Sequence, residues 1–233
     1  MNNQQFIEEL KKINIDITDN QLNKLNQYYQ LLIEENKKIN LTGITEYNLV
    51  YLKHFYDSLT INKIEKLESQ KLCDIGTGAG FPGIVLKIIF PNLKITLVES
   101  LTKRCKFLNK VIANLELKEI EVINERAEVY SKKQREKFDI VTSRAVANIK
   151  QLLEYSIPLL KIDGLFIAMK GNVTEEMKDI DNCLNELKSQ IIEIKKFNLP
   201  IENSERTLIK IIKTAKTPNM YPRNYSQIIK KPL

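Results

Sequence analysis

From Lys71 to Lys213 the chain alternates short apolar runs with stretches of helical periodicity, the pattern of a largely parallel sheet covered by helices. The spacing predicts an α/β fold with strands at 71–75, 93–98, 119–123, 138–142, 163–169, 191–197 and 206–213. Helices are expected near 82–90, 102–114, 149–160 and 173–188, with Pro91 as a stop signal after the first. Residues 1–65 read differently. Thr18 or Asp19 can cap a segment in which Leu22, Leu25, Tyr29, Leu32 and Ile33 recur at helical spacing, so an N-terminal helical extension precedes the main domain. The expected division is 1–65 for this extension, 66–215 for the α/β domain and 216–233 for a basic tail, all in one integrated unit.

Between the first predicted strand and the following helix lies Cys73-Asp74-Ile75-Gly76-Thr77-Gly78-Ala79-Gly80-Phe81-Pro82-Gly83. Glycines there let the backbone turn sharply and approach a ligand that a Cβ would meet. Gly78, Gly80 and Gly83 also satisfy the dinucleotide fingerprint, which keeps an NAD-dependent oxidoreductase open as a second reading. Two carboxylates favour S-adenosylmethionine instead. Asp74 stands beside the loop, where it suits the cationic ammonium of that cofactor and would repel a pyrophosphate. Glu99 ends the next strand, 25 residues later, placed to accept from ribose hydroxyls. After the third strand, Ala127 and Glu128 are positioned to flank an adenine. After the fourth, Arg144 sits at the mouth of the same crevice, where an arginine orients cofactor or substrate or is simply exposed.

Charge is distributed unevenly. The net value of +7 comes entirely from residues 206–233, which carry seven bases and no acid, while the remainder balances at 29 of each sign. Such a segment is either an electrostatic footprint for a polyanion or a solubilising tail. Lys103, Arg104, Arg144, Lys216, Arg223, Lys230 and Lys231 are the candidates for guiding the phosphates of such a polyanion. The three cysteines are widely spaced and read as reduced, buried thiols, and His54 is the only histidine, so no metal tetrad is expected. A lone histidine next to Phe55 and Tyr56 reads as a hydrogen-bonded structural residue. No apolar run approaches membrane-spanning length and the first residues do not read as a secretory signal, so a cytoplasmic protein is expected; separately, it is expected to be a monomer.

These pieces, taken in order, resemble the ribosomal RNA small subunit methyltransferase G family, also called the glucose-inhibited division protein B family. The resemblance rests on Asn40-Leu41-Thr42, His54, Asp57-Ser58-Leu59, the Asp74–Gly83 loop, Glu99-Ser100, Lys103-Arg104 and Phe107-Leu108. It continues through Arg126-Ala127-Glu128, Ser143-Arg144-Ala145, Lys170-Gly171, Lys216-Thr217-Pro218 and Tyr221-Pro222-Arg223. It implies a class I S-adenosylmethionine-dependent methyltransferase sheet of order 3-2-1-4-5-7-6 with the seventh strand antiparallel. It also implies cofactor contacts at Gly76, Phe81, Ala127, Glu128 and Arg144, and methylation of ring nitrogen 7 of guanine 527 in 16S ribosomal RNA. The implied partner is that RNA or the small ribosomal subunit. The chain departs from the family pattern at Glu35-Asn36, where Trp-Asn is common, and at Asn224–Ile229, which replaces a glycine-containing stretch.

The implied chemistry matches the scarcity of acid–base residues. Ring nitrogen 7 of guanine offers an in-plane lone pair and no proton, so its attack needs alignment and no general base. No catalytic side chain is therefore assigned. A non-catalytic RNA-binding protein with the same fold and a small-molecule methyltransferase remain as alternatives, the latter disfavoured by the basic tail.

Overall fold

The computed structural model describes residues 1–144 and 147–233. Ala145, part of the Ser143-Arg144-Ala145 motif, lies outside the described residues. Among those described, the strands form a seven-stranded sheet of order β3-β2-β1-β4-β5-β7-β6. They are β1 (Lys71–Ile75), β2 (Lys94–Glu99), β3 (Ile120–Asn124), β4 (Phe138–Arg144), β5 (Leu160–Lys170), β6 (Ser189–Asn198) and β7 (Glu205–Lys213). Pairings from β3 through β5 are parallel, whereas β7 runs antiparallel to both β5 and β6. This is the order that the family resemblance implies.

Period-two alternation sorts the side chains onto two apolar clusters. Leu72, Ile95, Leu97, Ile140, Ile167 and Met169 face the first, which also contains the N-terminal helices. Cys73, Val98, Val141, Phe166, Ala168 and Ile209 face the second. The first includes α1 (Asn3–Lys11) and α2 (Asp19–Asn36), as well as α5 (Gly83–Ile89) and α6 (Thr102–Asn114) of the α/β portion. Between α2 and β1 runs a composite helical segment: α3 (Tyr47–Val50), a π-helical stretch Tyr51–Tyr56, α4 (Asp57–Leu59) and a 3-10 turn Thr60–Lys63. Thr18 caps α2 in a reciprocal box with Gln21. The Gln21 amide also donates to the carbonyls of Ile88 and Ile89, at 3.2 and 2.9 Å, tying the extension to the end of α5.

Several predicted boundaries shift for local reasons. The helix expected over 149–160 is α8 (Ile149–Ser156), followed by a 3-10 turn containing Pro158, whose missing N–H cannot sustain an α-helical interior. The strand expected over 163–169 consequently begins earlier, at Leu160. The helix expected over 173–188 contracts to α9 (Ile180–Leu187), because Asp179 adopts a left-handed conformation at its start, φ +56°. Two helices absent from the prediction are α7 (Ala127–Lys133) and α10 (Tyr225–Lys230), the second within the expected basic tail. All three cysteines are buried and unbridged. No helix among the described residues is long and apolar enough to cross a membrane.

Candidate active site

A cavity of about 720 Å³ opens at the carboxyl ends of β1, β2 and β4, where an α/β sheet brings its ligand-binding loops together. Its wall includes Gly76, Gly78, Phe81, Glu99, Arg104, Ala127, Glu128 and Arg144. Eight of the residues singled out from sequence thus converge on one space. Gly76 and Gly78 have positive φ, at +68° and +61°, a conformation that glycine adopts without steric cost. A Cβ on Gly78 would meet nothing closer than the Gly76 carbonyl at 3.9 Å, so this turn presents bare backbone to the cavity.

Gly80 serves a different purpose. A Cβ there would lie 2.6 Å from the Tyr28 hydroxyl and 2.7 Å from Ile84, so the glycine admits close packing of the helical extension and not of a ligand. Tyr28 in turn donates to the Ala79 carbonyl and packs against both Phe55 and Phe81. The loop is clasped from outside by the extension.

Asp74 also departs from its expected place. It is fully buried behind the loop, not on the cavity wall, and its Oδ2 accepts from the Thr77 hydroxyl at 2.6 Å and the Gly83 N–H at 2.9 Å. Its other oxygen has no partner among the described residues. Burial raises its carboxyl to about 6, opposed by these hydrogen bonds and by the charge of Arg144. Within the protein Asp74 therefore acts as the internal brace of the glycine turn.

Glu99 lies on the wall with its Oε2 accepting from Gly78 N–H at 3.1 Å and its Oε1 from Leu101 N–H at 2.8 Å. Arg104 approaches the same carboxylate at 3.5 Å. Glu128 is held by the Nε of Arg126 at 2.7 Å, and the Arg126 guanidinium stacks on the Tyr225 ring at 3.9 Å. Arg126, Tyr155, Tyr225 and Ile229 line the cavity although the sequence did not single them out for it.

At the opposite end, Arg144 is anchored rather than exposed. It donates to the Lys53 carbonyl at 2.9 Å, to Asp57 at 3.2 Å and to His54 Nδ1 at 3.1 Å, and lies over the Phe81 ring. Because a guanidinium only donates, Nδ1 of His54 accepts, which places the imidazole proton on Nε2, donated to Thr42 at 2.8 Å. Burial, with the adjacent Arg144 charge, holds His54 down to about 3, so the ring is neutral at physiological pH. His54 stacks on Phe81 with ring centroids 4.4 Å apart. Arg206 completes the group by donating to the second oxygen of Asp57 at 3.0 Å. On the far side of His54 and Arg144 lies a second cavity of about 350 Å³, also walled by Lys53, Lys170 and Arg206.

The remaining basic residues are not on the wall of the large cavity. Lys103, Lys216, Lys230 and Lys231 are exposed and have no ion pair among the described residues. Arg223 instead makes three hydrogen bonds of 2.7–2.9 Å to the fully buried Glu154. Lys210 and Lys213 pair with Glu65 and Glu136. Much of the positive excess of the last segment is thus neutralised by acids from earlier in the chain, which a count along the sequence cannot register.

Residues 21–207 match the family model described as rRNA small subunit methyltransferase G (GidB). A relative named ribosomal RNA small subunit methyltransferase G, from Desulforamulus reducens, is 47% identical over 227 residues, covering 96% of this chain and 95% of its own. One of the same name from Oceanobacillus iheyensis is 44% identical over the full length of both chains. Among solved structures, a SAM-dependent methyltransferase from Aquifex aeolicus superposes with a TM-score of 0.54 at 14% identity, covering 77% of this chain and 98% of its own, a likeness of fold. With 21–207 matched and near-complete relatives at this identity, the protein belongs to the rRNA small subunit methyltransferase G family.

Proposed function

We propose that this methyltransferase modifies ring nitrogen 7 of guanine 527 in 16S ribosomal RNA, and does so by positioning alone. When bound, S-adenosylmethionine supplies an electrophilic sulfonium methyl group. The cavity suits such a nucleoside: the bare backbone at Gly76 and Gly78 admits close approach, and Glu99 offers a carboxylate beside it. Ala127 and Glu128 would flank the base, and Phe81 would supply an apolar face. Asp74 would act through the loop it braces, without direct contact.

The observation that most supports this reading is the state of His54. The imidazole on the wall between the two cavities is neutral and both nitrogens are engaged, so it presents a fixed polar surface and not a base. A nucleophile that arrives already deprotonated needs no more. In this reading the smaller cavity receives the acceptor nucleotide by shape and hydrogen bonding, since Lys53, Arg144, Lys170 and Arg206 on its wall are each already paired with an acid. Exposed Lys103, Lys216, Lys230 and Lys231 add sequence-independent attraction to RNA. The enzyme would work in the cytoplasm as a monomer, on the small subunit or its RNA.

Reduction and aniline cleavage of 16S RNA from cells with and without the protein tests the assignment. Strand scission at guanine 527 is expected only when the protein is present. Scission that persists in its absence would defeat the target. RNA binding by the purified protein without methyl transfer would favour the non-catalytic alternative.

A further inference from the structure

The segment that departs from the family pattern, Asn224–Ile229, forms α10 and brings two side chains onto the wall of the large cavity. Asn224 and Gln227 close a reciprocal capping box, and Ile228 is fully buried in the second apolar cluster, so the helix is docked along one side. Tyr225 and Ile229, one helical turn apart, share the neighbouring face, and both line the cavity. Their position is well determined. Arg223 is fastened to buried Glu154, Arg135 donates to the carbonyls of Tyr221 and Thr217 at 2.5 Å, and Lys132 reaches Asn224 at 2.9 Å.

Tyr225 and Ile229 nevertheless leave 45% and 42% of their surface open to solvent. One face of Tyr225 is occupied by the Arg126 guanidinium, which is oriented by its hydrogen bond to Glu128. A flat, weakly polar group fits such a wall, because it covers apolar surface and stacks. A zwitterionic amino-acid group would leave the apolar surfaces of Tyr225 and Ile229 uncovered.

We infer that Tyr225 and Ile229 are cofactor-binding residues that wall the purine end of the cavity, making the C-terminal segment part of the nucleoside site. This rests on the reading of the cavity as the S-adenosylmethionine site. It extends that site to residues 98 or more positions beyond Ala127, on an element the family resemblance does not supply.

The full chain has no tryptophan, so Tyr225→Trp installs a single emitter at the wall. Its emission should change and saturate with S-adenosylhomocysteine and with 5′-methylthioadenosine, which lacks the amino-acid portion, and should ignore methionine. By calorimetry, Tyr225→Ala and Ile229→Ala should each weaken both nucleosides by about 5- to 20-fold, while Tyr225→Phe stays within about twofold of the parent. Because both side chains are substantially exposed, thermal unfolding should be unchanged in these variants, in contrast to the core substitution Ile228→Ala, which should lower it. Equal nucleoside affinity in parent and alanine variants, or emission indifferent to both nucleosides, would overturn the inference and leave the proposed function standing. Failure of the parent protein to bind either nucleoside would instead defeat the reading of the cavity itself.

Discussion

At the His54 end of the large cavity, Arg144, Asp57 and Arg206 neutralise one another below the surface, whereas at the Tyr225 end an arginine stacked on a tyrosine faces solvent beside an isoleucine. The arginines separate them: each pairs with a buried acid, Asp57 or Glu128, but Arg144 is 13% exposed and Arg126 51%. The first end is preorganised by partners that leave little freedom, so its geometry is present before any ligand arrives. The second leaves Tyr225 and Ile229 nearly half open to solvent. Under the proposed function such a division suits methyl transfer, which demands rigidity where the acceptor is aligned and access where the nucleoside enters and leaves.

The largest effect is expected at Arg144. Arg144→Ala should abolish methyl transfer and lower stability by about 3 kcal/mol in urea denaturation, since buried Asp57 loses one of two cationic partners. Arg144→Lys should not restore transfer, because an ammonium cannot reach Lys53, His54 and Asp57 together. Loss of transfer with unchanged stability would show that the buried network is not a structural unit.

The next effect is at the loop. Gly80→Ala forces a Cβ to within 2.6 Å of the Tyr28 hydroxyl at φ +102°, and should cost roughly 2–3 kcal/mol of folding stability. Gly78→Ala enters open space at φ +61°, and should cost about 1–2 kcal/mol while weakening the binding of S-adenosylhomocysteine in calorimetry. A reversal of this order would contradict the separate roles of the two glycines.

Acid titration sharpens the contrast further. His54 falls from 6.5 to about 3 on folding, so its contribution to stability is complete above pH 6.5 and declines as pH drops toward 3. Asp74 rises from 3.8 to about 6, so the folded state holds its proton more tightly and gains stability as pH falls from 6 toward 3.8. Each group accounts for up to about 1.4 kcal/mol per pH unit within its window. Denaturation at pH 4 to 7 should therefore show Asp74→Asn losing stability on acidification more steeply than the parent, and His54→Gln less steeply. Parallel curves for all three proteins would refute both assignments.

The smallest expected change is at the exposed end. Arg126→Ala should lower stability by about 1 kcal/mol, because Arg126 is half exposed but its partner Glu128 is buried and loses its only described side-chain cation. It should also weaken S-adenosylhomocysteine several-fold in the same calorimetric assay, by roughly the strength of one stacking contact. A large loss of stability would erase the distinction between the two ends.

Strand positions were legible because two apolar layers impose a period-two rhythm that survives in the linear chain. Helices α7 and α10 were not, because each buries a single large apolar side chain, Tyr130 or Ile228, and one such residue sets no period, whereas the comparably short α5 is buried throughout. The glycine turn and Glu99 could be found from residue types alone. The burial of Asp74 was also accessible in principle: it lies two residues from Leu72, on the face turned toward the helical extension, so its carboxylate could not project into the crevice. The stacking of Arg126 on Tyr225 and the capture of Arg223 by Glu154 are tertiary pairings across 99 and 69 residues. No local pattern encodes them.

The Tyr28 hydroxyl bonded to the Ala79 carbonyl couples the tip of the ligand-binding turn to a helix made 51 residues earlier. Excising the first 45 residues in search of a minimal catalytic core would remove the clasp together with Phe6, Leu10, Leu25 and Leu32, which share one apolar cluster with the strands. Such a fragment would retain all seven strand sequences yet lose both the cover of one sheet face and the brace of the turn.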